Sequence, residues 1–282
     1  NKKPIIFINL FFIILGLWIS LIFPNVYQST AVVSPSNQSS SSQALSQYSG
    51  LASMAGISLP SSGESNQIEV GLEMLKSFSF FKDFIDRRDL FLPIVASKGW
   101  IKETNQLVYD DNIYDQKSKK WVSNDKFASN GRPSYQYAHR KFLKNLSIQH
   151  DNKKGLITIS YKHHSPEIAK STIDFLIADI NLIAKNKHIN QAKKSIEFLN
   201  QELQNTQFSE LRNQINNLTV QQLEIMMLAN SKPDFLFEVA SEPIASEVKI
   251  EPNRIIILVL MTLFGAFLGC GYVILREYFK QL

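Results

Sequence analysis

Apolar residues in this chain are gathered into two dense blocks near its ends, with thinner periodic stripes between them. The first block runs from Ile5 to Phe23, 19 residues broken only by Asn9, Gly16 and Ser20. The second runs from Ile255 to Leu275, 21 residues without a charge. As a helix each spans roughly 30 Å, the thickness of a bilayer's hydrocarbon layer. Core helices of this length keep a polar face, so the pattern predicts membrane helices over residues 5–23 and 255–275. A cleaved signal peptide is the alternative for the first block. Its apolar run is long for that role, however, and "FPNVYQSTA" offers no small-x-small cleavage site. The chain does not open on Met, so a short piece is expected to precede Asn1.

Between the blocks, "VYQSTAVVS" at 26–34 alternates and is rich in β-branched residues, which predicts a strand leaving the first membrane helix. The serine-rich "PSNQSSSSQALSQYSG" cannot bury enough surface to fold alone and reads as a linker. From Glu64 to Leu90, Ile68, Leu72, Leu75, Phe78, Phe81 and Ile85 form one amphipathic helix face. Residues 99–132 show no clear period and read as surface structure. A short helix is expected from Pro133 to Leu146. "NLSIQHD" and "GLITISYKH" then read as two strands across the turn "DNKKG", with Ile157, Ile159 and Tyr161 on one face.

At "HSPEIA", Ser165 suits a helix cap and Pro166 the first helical position. From Glu167 to Lys232 there are 66 residues without Gly or Pro. The expectation is a helix over about 166–231, which if continuous reaches roughly 100 Å. Its packing stripe runs through Ile189, Ala192, Ile196, Leu199 and Leu203, slips phase at "QNTQ", and resumes at Phe208, Leu211, Ile215 and Leu218. Two helices joined at Gln204 to Gln207 are the alternative. So narrow a stripe suits packing against neighbouring subunits. "DFLFEVA" is expected as a last strand, and Pro243 and Pro252 carry an extended return to the second membrane helix.

Charge orients this arrangement. Lys2 and Lys3 precede the first helix, and no Lys or Arg follows it until Lys76, so both termini are expected in the cytoplasm and residues 24–254 outside it. Of the net charge of +5, Lys2, Lys3, Arg276 and Lys280 against Glu277 supply +3. The remaining +2 on the outer domain gives no case for nucleic acid. The single cysteine, Cys270, falls in the second membrane helix, so the outer domain has no disulfide.

Candidate chemistry is sparse. No phosphate loop or nucleophile elbow occurs. His163 and His164 are the one close pair among His139, His150, His163, His164 and His188, and neighbours in a strand point to opposite faces, so no metal is expected. Asp110, Asp111 and Asp115 lack the Gly and Glu of a helix-loop-helix calcium loop. Glu238, Glu242, Glu247 and Glu251 show no partner for a hydrolytic carboxylate pair, so neither an enzyme nor a cofactor is expected. Lys82, Asp83, Asp86, Arg87, Arg88 and Asp89 form either an ion-paired outer face or a contact for a neighbour or a glycan. Gly265-x-x-x-Gly269, with Gly16-x-x-x-Ser20 as a weaker counterpart, is a small-xxx-small pattern for close packing of membrane helices.

"VYQSTAVV", "LASMAGISL", "LEMLKSFSFFKDFI", "KFLKNLSIQHDNKKGLITISYKHHSPEIAKSTIDFLIADIN" and "EPNR", between two membrane helices, together resemble the polysaccharide co-polymerase family of Wzz-type chain-length determinant proteins. Phe78 stands where members often carry Arg, and "ASEPIASEVKIEP" keeps a reduced proline series. The resemblance implies an α+β fold: two transmembrane helices flanking a periplasmic domain, with a small mixed sheet near the membrane and a very long protruding helix. It also implies an inner-membrane protein with a periplasmic bulk, assembled as a ring-shaped homo-oligomer. Such a protein is not an enzyme. It sets the modal length of a lipid-linked polysaccharide, O-antigen in the first instance, made by a Wzy-type polymerase, with the lipid-linked glycan as a further partner. The tail at 276–282 is expected to carry no fused kinase. A capsule or exopolysaccharide export adaptor and a two-span periplasmic sensor are the alternatives.

Overall fold

The computed structural model describes residues 3–36, 63–123, 128–151, 153–205, 207–231 and 233–281. Most of the serine-rich linker and all of "LASMAGISL" lie outside them. Helix α1 (Lys3–Ile22) leads through a short connection into β1 (Tyr27–Pro35). Two further helices follow, α2 (Gly63–Lys76) and α3 (Phe78–Arg87), where one is expected. Ser77 divides them: its backbone is extended and its hydroxyl accepts from Phe80 N–H, capping α3. The break resets the helical phase, so Phe80, Phe81, Phe84 and Ile85 are buried while Phe78 is left exposed.

Next come α4 (Phe91–Ala96) and a hairpin of β2 (Ser97–Ile101) with β3 (Gln106–Tyr109). A small ladder pairs β4 (Tyr114–Asp115) with β5 (Lys120–Trp121). Helix α5 (Tyr135–Asn145) is capped by Ser134, whose hydroxyl accepts from Tyr137 N–H. It runs into the hairpin of β6 (Leu146–Asp151) and β7 (Leu156–His163), which turns where the sequence predicts.

Strand β8 (Phe237–Ser241) completes a four-stranded sheet in the order β6-β7-β1-β8. The sheet is antiparallel throughout, not mixed. Register explains why: β1 runs away from the end of α1, and both β7 and β8 run back towards it, pairing Tyr27 with His163 and Val32 with Ser241. One face carries Ala31, Val33, Ile157, Ile159 and Tyr161, all fully buried against helices.

The expected helix over 166–231 is two helices. α6 (Pro166–Asn205) is 40 residues, roughly 60 Å, and α7 (Ser209–Ser231) is 23 residues, roughly 34 Å. The break falls at the phase slip and α7 folds back along α6, so part of the apolar stripe is covered within the same chain. The first turns of α6 bury Ala169, Ile173, Leu176 and Ile180 on the sheet. Beyond Asn181 its apolar positions meet α7 instead, with Ala192 and Ile215 buried between them. At the base of this hairpin the Phe235 ring lies 5.0 Å from that of His188. The last helix, α8 (Arg254–Gln281), lies along α1.

Candidate functional site

Three features dominate: the paired apolar helices, the junction joining them to the sheet, and the α6–α7 hairpin. Among the described residues, Arg254–Tyr272 of α8 is long and apolar enough to cross a membrane, and Ile6–Ile22 of α1 is a shorter apolar helix. Their outer faces are open, with Phe7 75% and Phe267 77% exposed. Their shared face is close-packed. A Cβ on Gly16 would lie 3.0 Å from Met261 Cγ, and one on Gly265 would lie 3.0 Å from Phe12 Cβ and 3.2 Å from Asn9 Cα. Ser20 and Gly269 are also buried. The Phe12 and Phe264 rings meet edge to face at 5.5 Å, and Asn9 Nδ2 donates to Thr262 O at 3.3 Å. Gly16 and Gly265 are thus set in one α1–α8 contact.

Immediately past these helices the two connections are tied together. Val26 N–H donates to Glu251 O and Ile250 N–H donates to Val26 O, at 3.0 and 2.9 Å. Lys162 Nζ reaches Glu251 Oε1 at 2.7 Å, and Lys249 Nζ donates to Asn25 Oδ1 at 3.2 Å. Beside this junction His163 is buried. Its Nδ1 accepts from Ser165 N–H, which leaves Nε2 to donate towards Pro93 O and the Ser97 hydroxyl, each at 3.1 Å. Burial pushes its pKa down to about 4, with the Pro93 bond acting against the shift. The His164 pKa is also lowered by burial. Ser165 is buried, and its hydroxyl accepts from Ile168 N–H at 3.4 Å, next to the buried Pro166 that begins α6.

The cluster on α3 has turned partly inward. Arg88 pairs with the buried carboxylate of Asp179 on α6, and its guanidinium lies 4.5 Å from the Phe175 ring centre. Arg87 stands 3.7 Å from the other Asp179 oxygen. Asp86 accepts from the Tyr135 hydroxyl at 2.8 Å, tying α3 to α5. Asn181, two residues after Asp179, accepts from Leu236 N–H and Phe237 N–H and donates to Phe237 O, at 2.8–2.9 Å. Sequence reasoning missed Asp179 and Asn181. Their signal is two polar residues inside the apolar run "FLIADINLI", on the face that packs the sheet.

Along the hairpin the predicted stripe divides. Ile215 is buried, and Ile189, Ile196, Leu199 and Leu203 are half-buried. Leu211 and Leu218 remain exposed, as do Phe198, Phe208 and Met227. Among the described residues no group of three or more His, Cys, Asp or Glu could hold a metal ion. What the described residues offer is exposed apolar surface, along the α1–α8 pair and along the α6–α7 hairpin.

No curated protein matches the sequence. Among solved structures, a full-length bacterial polysaccharide co-polymerase is similar over 99% of this chain and 95% of its own, at 14% identity and a TM-score of 0.40. A fragment of WzzB, the polysaccharide co-polymerase from Salmonella Typhimurium, is similar over 80% of this chain and 100% of its own, at 14% identity and a TM-score of 0.31. The family model for Wzz, chain length determinant protein, matches residues 1–88, which include α1, β1 and α3. Over those residues, then, the chain is similar to the Wzz chain length determinant proteins.

Proposed function

We propose that the chain is a two-span inner-membrane protein that sets the modal length of a lipid-linked surface polysaccharide, lipopolysaccharide O-antigen, made by a Wzy-type polymerase. Both termini are cytoplasmic and residues 24–254 are periplasmic. The observation that carries the topology is the α1–α8 pair: two apolar helices, open to the outside except where they touch, leave the folded domain side by side at Val26 and Glu251. Exposed apolar groups belong in hydrocarbon, and a helical pair satisfies its own backbone there. Small residues at the contact suit helix association in lipid, where close approach replaces the hydrophobic effect.

Subunits stand side by side in a ring, and the exposed apolar residues of the α6–α7 hairpin support this reading. Among the described residues Leu211, Leu218 and Phe208 are 44%, 45% and 77% exposed. A ring gives each such surface a neighbour. The assembled wall biases when the polymerase releases the lipid-linked glycan.

Deleting the gene and restoring either this chain or one lacking residues 182–231 tests the proposal on lipopolysaccharide ladders. The modal band should disappear on deletion, return with the full chain, and stay absent with the truncated one. An unchanged ladder in the deletion strain overturns the O-antigen role, and a change confined to capsule or exopolysaccharide assigns the chain to that polymer instead.

A further inference from the structure

Several apolar side chains are exposed at the end of the sheet from which α1 and α8 depart. They lie in two places. The segment between β8 and α8 carries Ile244, Val248 and Ile250, 72%, 73% and 40% exposed. It is held there by the Ser29 hydroxyl donating to Ile244 O at 2.9 Å and by Ile250 N–H donating to Val26 O. The β2–β3 hairpin carries Trp100, Ile101 and Val108. The Trp100 ring meets Tyr27 edge to face at 5.5 Å, and its indole N–H donates to Asn105 Oδ1 at 2.8 Å. Ile101 and Val108 are exposed.

Position and chemistry single out the occupant. Tyr27 is five residues past the end of α1, so it stands no more than about 17 Å beyond it. Ile250 is four residues before the start of α8, no more than about 14 Å from it. Exposed Lys98 and Lys102 lie on the hairpin itself, and Lys249 sits in the closing segment. Apolar side chains with an indole, a phenol and lysines at this depth match the interfacial layer of a bilayer, where amphipathic rings and lysine stems settle at the headgroups.

We propose that the base of the domain rests in the lipid headgroup layer through Trp100, Ile101, Val108, Ile244, Val248 and Ile250. The occupant of this patch is a phospholipid surface. The contact fixes the height and tilt of the domain over the membrane. It rests on the two-span reading given above, and the test separates the two.

The chain has three tryptophans, Trp18, Trp100 and Trp121. In phosphatidylcholine vesicles carrying nitroxide lipids, the full chain with Trp18→Phe and Trp121→Phe reports on Trp100 alone, and the chain with Trp100→Phe and Trp121→Phe reports on Trp18. Trp18 should be quenched most by mid-chain nitroxides. Trp100 should lose several-fold more emission to headgroup nitroxides than to mid-chain ones. If Trp18 is quenched and Trp100 responds to neither probe, the headgroup contact is wrong and the two-span reading stands. If Trp18 responds to neither, both fall.

A spin label at Val248→Cys, in a chain with Cys270→Ser and all tryptophans native, checks the closing segment independently of the Trp variants. It should collide more with oxygen than with an aqueous nickel complex. Free access of nickel, or shielding from both reagents by a second copy of the chain, overturns the proposal.

Discussion

Asn181 makes three hydrogen bonds to the backbone of the strand returning from the hairpin, so one side chain joins α6 to the start of β8. Asn181→Ala orphans two buried N–H groups and a carbonyl, which should lower stability by about 2–4 kcal/mol. Thermal unfolding in detergent should show the loss, and an unchanged midpoint would refute the assignment. His163 makes stability depend on pH. Its folded pKa, about 4, lies below the ordinary value of 6.5, so the unfolded chain takes up a proton first as the pH falls. Stability is therefore full above pH 6.5 and declines towards pH 4, by up to roughly 3 kcal/mol from this group. The lowered pKa values of His164 and His188 act in the same direction. His163→Gln should flatten the profile between these pH values, measured as unfolding midpoints across the range.

Elements were legible in the sequence wherever the evidence for them is local. The β6–β7 hairpin follows from alternation and a turn, and the start of α6 from Ser165 and Pro166. The two apolar blocks are helices of nearly the expected extent at one end, while α8 continues past the expected limit to Gln281. The break at Ser77 was not legible, because phenylalanines at 78, 80, 81 and 84 let a helix face be drawn in more than one phase. Nor were Asp179 and Asn181, whose partners are 91 and 55 to 56 residues away. At the long hairpin the phase slip marked the right place, and the same chain covers only part of the stripe, at Ala192 and Ile215. Ile215→Asp should open that contact, and limited proteolysis should then cut near 205–209 faster than in the unaltered chain. Gly265→Leu should push α8 off α1, because even a Cβ there is already tight against Phe12 and Asn9. Phe12→Cys with Phe264→Cys, in a chain with Cys270→Ser, should cross-link readily and should do so poorly once Gly265→Leu is added.

For the molecule as a whole, the sheet and its helices form a packed base, and the hairpin extends beyond it with apolar side chains still exposed. Leu211→Asp with Leu218→Asp should reduce the size of the detergent-extracted assembly by light scattering while leaving helical content unchanged. An assembly of unaltered size would count against the proposed ring contact through these residues. The pinned junction at Val26 and Glu251 has a mechanical consequence. A domain hung from one strap swivels about it, whereas one hung from two straps sewn together at the collar follows every tilt and roll of the shaft beneath. The distant tip of the α6–α7 hairpin then behaves as the far end of a lever, and a rotation of the α1–α8 pair by a few degrees becomes a displacement there of several ångström.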